Sequence, residues 1–181
     1  VLLVLVLIIW TGGWTVRHFV AEAFCNTIPN STLVRVLNPV VADVQRAIAW
    51  DRYNSEYWHK LARGLAQEKT DAHDREYLLP MTGALERAVR LNPFSALYYL
   101  ELGWGYTKRW QEPDFEDAWL PADDHAMDMA GLYSGARDSR LHRDVGNYWL
   151  IRSKTLDPSS AFWNEALQKV GNHYQMALNL E

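Results

Sequence analysis

Cysteine is almost absent from these 181 residues: Cys25 stands alone. An internal disulfide and any multi-cysteine metal site are therefore excluded. Basic runs are lacking too. The 18 Lys and Arg are outnumbered by 22 Asp and Glu, and a formal net charge of −4 leaves no footprint for nucleic acid. The sequence contains no G-x-S-x-G, no phosphate-binding loop and no dinucleotide fingerprint. Its six histidines (18, 59, 73, 125, 142, 173) form no H-E-x-x-H or His-x3-His pair. No carboxylate pair stands at a recognised ligand spacing, so neither a metal nor a cofactor is expected. Cys25 has no histidine close in sequence and is not read as a nucleophile. An initiating methionine is also missing, which is read as the mark of a fragment or a processed product.

What is present begins with apolar residues. Val1 to Val16 holds no charge, and the first ten residues, VLLVLVLIIW, are all apolar. Sixteen helical residues span roughly 24 Å against a hydrocarbon core of ~30 Å. The apolar density still predicts a transmembrane anchor helix over 1–24, with Trp10 and Trp14 near its charged end and lipid contact through 1–16. Trp and Gly-Gly followed by more apolar residues do not resemble a signal-peptide cleavage site. Gly12-Gly13 would let such a helix approach other spans. Between Arg17 and Asn38 only Arg17 and Arg35 are basic, which predicts an extracytoplasmic, periplasmic side for the remainder of the chain. Asn30-Ser31-Thr32 matches a glycosylation sequon, a triplet common by chance.

Beyond a linker at 25–37, helical periodicity takes over. Leu85, Ala88 and Leu91 share one face, Asn92-Pro93 ends that helix, and a new helix starts near Ser95. This junction carries a specific pattern: Tyr99-x2-Leu102-Gly103-x2-Tyr106 after Leu85-x2-Ala88-x4-Pro93. It resembles the junction between two tetratricopeptide repeat (TPR) units, in the form seen in membrane-anchored bacterial proteins. Trp58-x2-Leu61-Ala62-x2-Leu65 and His142-x2-Val145-Gly146-x2-Trp149 fit the same frame. The small residues Ala62, Gly103 and Gly146 are 41 and 43 residues apart, and Trp58, Tyr99 and His142 repeat both spacings. Both spacings exceed the family's ~34, so insertions are expected between helices at 68–76 and 111–121. Asp157 to Ser160 caps a last helix with Phe162, Ala166, Val170, Tyr174 and Ala177 on one face.

The expected fold is all-α: an N-terminal transmembrane helix, then an irregular TPR-like right-handed helical solenoid over 38–181. Its parts are a half-repeat at 38–54 and units at 55–95, 96–138 and 139–181.

The resemblance implies a concave, partner-binding face on the first helix of each unit. It selects Glu56, His59, Arg63 and Gln67, then Leu97, Leu100, Trp104 and Lys108, then Arg140, Arg143 and Asn147. Tyr99, Gly103 and Tyr106 are expected to hold the stack together. Arg143-x3-Asn147 resembles part of a carboxylate clamp found in some TPR domains. Seven acids fall between Glu112 and Asp128 with no Lys or Arg among them. They read as a solvated loop or as a dock for a basic patch on a partner or a second copy. The expected function is a non-catalytic protein–protein interaction scaffold or adaptor in a membrane complex, binding other, mainly membrane, protein subunits. The rival is the TPR tail of a multi-spanning glycan polymerase or O-antigen-ligase-like transferase, with catalysis upstream.

Overall fold

The computed structural model describes residues 2–26, 37–67, 74–110, 120–135 and 138–181, with side chains for 11–23, 41–67, 77–108, 120–135 and 138–181. Residues 27–36 of the expected linker with its sequon, the Cys25 side chain, and most of the insertions at 68–76 and 111–121 lie outside what is described. Among the described residues there are eight helices and no strand: α1 (Leu2–Asn26), α2 (Leu37–Trp50), α3 (Ser55–Gln67), α4 (Asp74–Leu91), α5 (Ala96–Trp110), α6 (Leu120–Ser134), α7 (Ser139–Ser153) and α8 (Ala161–Leu178). Contacts divide them into two compact units, 1–91 and 92–181.

In the first unit, neighbours in sequence pack as neighbours in space, and α3 with α4 is the most intimate pair. Ala21 of α1, Ala47 of α2 and Tyr57 of α3 are buried together, with Ile48 against them. Val41, Val44 and Ala47 share the buried face of α2 at helical spacing. Gly64 on α3 leaves room for Val41, whose Cγ2 would lie 3.0 Å from a Cβ at that position. Asn54 caps α3 by accepting from the Glu56 amide at 3.0 Å. Leu78, Met81, Ala84, Leu85 and Ala88 form the buried stripe of α4. Pro80 sits inside that helix on the exposed side, where its missing N–H removes one rung of the ladder.

α1 corrects an expectation. Among the described residues no helix is long and apolar enough to cross a membrane. From residue 11 onward α1 carries Thr11, Gly12, Gly13, Thr15, Arg17, His18 and Glu22. The uncharged run ahead of Arg17 falls short of a hydrocarbon core. Instead, α1 packs on α2: Ala21 is fully buried, and His18 Nδ1 lies 3.4 Å from a carboxylate oxygen of Asp51 just past the end of α2. The transmembrane helix over 1–24 and the single-pass, periplasmic placement drawn from it are overturned. Lipid contact through 1–16 loses its basis with them.

The second unit is built from two hairpins, α5 with α6 and α7 with α8; α7 also touches α5 and α6. Asp138 caps α7 by accepting from the Leu141 amide at 3.0 Å, and Ser160 caps α8 by accepting from the Trp163 amide at 3.2 Å. α6 stops at Gly135, whose φ of 57° suits a residue without a Cβ. The core is aromatic where helices are close: Tyr98, Tyr99 and Tyr106 from α5, Tyr148 and Trp149 from α7, all buried. Small residues make the room. Gly103 lies under Met127, and Gly146 lies under the ring of Tyr174, 3.0 Å from where a Cβ would be.

Candidate functional site

The residues selected on the first helices do not share one environment. On α3, Glu56, Arg63 and Gln67 are exposed, whereas His59 is buried at 4% with its Nδ1 3.9 Å from Glu56. On α5, Leu97 is 45% exposed, Leu100 is buried and Lys108 is exposed. Trp104 is half-buried, its ring edge-on to Tyr148 with centroids 6.3 Å apart. On α7, Arg140 and Arg143 are exposed, while half-buried Asn147 accepts a hydrogen bond from Tyr174 Oη at 2.7 Å. Two kinds of residue thus sit on these helices. His59, Leu100 and Asn147 are engaged inside their unit; Leu97, Lys108, Arg140 and Arg143 face solvent.

Within the second unit a polar frame ties α6 to α5, α7 and α8. Asp124 on α6 accepts from Tyr148 Oη and from Arg152 Nε, the latter at 3.0 Å. Burial, followed by the charge of Asp123 and the hydrogen bond to Asp124, pushes the Tyr148 hydroxyl far above the usual phenol range. Asp123 is fully buried and accepts from Thr107 Oγ1 at 3.2 Å. Lys169 on α8 contacts both oxygens of Asp128 at 2.9 Å and stands 3.9 Å above the ring of Trp149. The frame engages the three acids of α6, Asp123, Asp124 and Asp128. Neither Arg140, Arg143 nor Lys108 forms an ion pair among the described residues.

Sequence reading did not find this frame. Its hydrogen-bonded partners are 16 to 41 residues apart on different helices, and no local spacing marks them. Of the acidic stretch, Asp123, Asp124 and Asp128 are tied to Thr107, Tyr148 with Arg152, and Lys169; the acids at 112–117 lie outside the described residues. The described residues contain no group of three or more His, Cys, Asp or Glu able to hold a metal ion.

In fold the chain is similar to two crystal structures of MamA. One aligns with a TM-score of 0.57 and 14% identity over 92% of this chain and 77% of that one. The other aligns at 0.57 and 13%, over 96% and 76%. The fold is TPR-like. No protein-family model and no curated protein sequence matches the chain. Identity this low carries the fold and nothing about partners.

Proposed function

We propose that this protein is a non-catalytic interaction scaffold that holds acidic, apolar segments of partner proteins on the outward side of its first helices. The observation carrying the reading is the set of exposed cations without an ion pair among the described residues, Arg140 and Arg143 on α7 and Lys108 on α5, together with exposed Leu97 at the start of α5. Arginine is a residue type enriched among the side chains that anchor interfaces. The TPR-like fold supports the reading, because stacked first helices present a continuous groove to extended peptides. Buried Leu100 and hydrogen-bonded Asn147 would support that surface from within its own unit, as buried His59 would support α3 in the first unit. Glu56, Arg63 and Gln67 on α3 would form a second, more polar contact area.

Selection from a random peptide display library on the purified protein tests this. Enrichment of peptides combining Asp or Glu with Leu, Phe or Trp is expected. Enrichment of basic peptides, or none at all, would reject the reading.

A further inference from the structure

A pair of imidazoles joins α7 to α8. His142, 2% exposed, faces His173 with the two Nδ1 atoms 3.0 Å apart and ring centroids 5.3 Å apart. Nε2 of His142 lies 2.6 Å from the carbonyl oxygen of Gly135. A carbonyl only accepts, so this nitrogen carries the proton, and Nδ1 of the neutral ring is left as an acceptor. His173 must then donate from its own Nδ1. Ser134 Oγ, 3.1 Å from the same Nε2, donates to the carbonyl of Gly131 at 2.7 Å and so fixes the end of α6 beside the ring. The His173 ring rests directly on Gly131, where an added Cβ would stand 2.6 Å from its Cε1. The imidazole pair therefore fastens α8 to both α6 and α7.

We propose that His142 and His173 form a pH-sensitive latch, closed while the rings share a neutral hydrogen bond and loosened as they become protonated. A proton on His142 Nδ1 would remove the acceptor and set two N–H donors against each other at 3.0 Å. A proton on His173 places charge on a ring pressed against helix α6. The charged groups facing it are Asp128 from α6, His142 from α7 and Lys169 from α8. Asp128 would favour the cation, but both its oxygens are already taken by Lys169, which opposes it. Burial first, then the neighbouring His142, holds His173 below the usual histidine range.

Linkage gives the sign. A histidine with a folded pKa below its unfolded value of ~6.5 binds more protons unfolded, so stability is full above that value and falls as pH drops below it. For one proton, the opening equilibrium changes by up to ~10-fold per pH unit in this window.

Amide hydrogen exchange on the whole protein, corrected for intrinsic rates, reads the latch directly. Between pH 7.0 and 5.5, protection across 161–178 is expected to fall by roughly tenfold, while α3 and α4 stay unchanged. His173→Asn keeps a donor near the Nδ1 position but cannot ionise, and should flatten this response. His125→Asn, an exposed histidine on α6, should preserve it. An unchanged pH response in His173→Asn overturns the proposal. Should that variant not fold, imidazole NMR on the wild type decides: a ring titrating below the exposed His125 supports the latch, and ordinary titration of both rings overturns it.

Discussion

Met127 fills the space that a side chain at position 103 would need. A Cβ on Gly103 would lie 2.9 Å from Met127 Cγ and 2.7 Å from its Cε. The methyl end can swing away; Cγ, one bond from the anchored Cβ of a fully buried residue, cannot do so freely.

Gly103→Ala should therefore destabilise the second unit by about 1 kcal/mol. The overpacking penalty of ~1–3 kcal/mol outweighs a helix-propensity gain of at most ~1. Met127→Ala alone should cost about 2–4 kcal/mol through the cavity it leaves. In the Met127→Ala background the Gly103→Ala change should become neutral or stabilising. Urea unfolding of the four proteins measures this coupling; simple additivity would show that the two residues do not compete for the same space.

Asp124 is the acceptor on which Tyr148 and Arg152 depend. Asp124→Ala leaves a buried hydroxyl and a nearly buried guanidinium without it, and should cost about 2–3 kcal/mol. Tyr148→Phe, which leaves the ion pair intact, should cost about 1 kcal/mol. The double variant should lose less than the two losses added together, as expected for residues in one network.

The same tyrosine sets an alkaline limit. Its folded pKa is raised, so its contribution is complete below the unfolded value of ~10 and is lost as pH rises beyond it. Unfolding midpoints between pH 9 and 11 should drop for the wild type and drop less for Tyr148→Phe. Equal slopes would assign the effect to other tyrosines.

Lys169→Met keeps the aliphatic stem over Trp149 and removes the charge from Asp128. A loss of about 0.5–1.5 kcal/mol is expected from an ion pair that is partly exposed and a cation over an indole. Because Lys169 helps hold His173 low, its removal should bring the folded pKa closer to the unfolded value and so weaken the acid-induced loosening of α8. The fall in hydrogen-exchange protection of 161–178 between pH 7.0 and 5.5 compares the two proteins.

Local chemistry explains what could be read in advance. Asn92-Pro93 separates α4 from α5 and Asp157 to Ser160 precedes α8, because prolines and caps act within a few residues. Gly103 and Gly146 marked close helix approaches, since a missing Cβ has one principal use in a packed helix. The first ten residues predict a span because all are apolar, but Thr, Gly, Arg, His and Glu complete α1 and the helix falls short of one. Asp123, Asp124 and Asp128 looked like a solvated run because their partners, Thr107, Tyr148, Arg152 and Lys169, come from three other helices. His142 was legible as a first-helix anchor by its frame, but nothing in sequence joins it to His173, 31 residues away.

In the proposed function, Arg140 and Arg143 hold acidic partner segments. Titrating a display-selected acidic peptide against the wild type and Arg140→Glu/Arg143→Glu tests it most directly. The double charge reversal should weaken binding at least ~30-fold, the scale of one interface hot spot, while circular dichroism and the urea midpoint remain those of the wild type. Equal affinity for both proteins would show that these arginines do not hold the peptide.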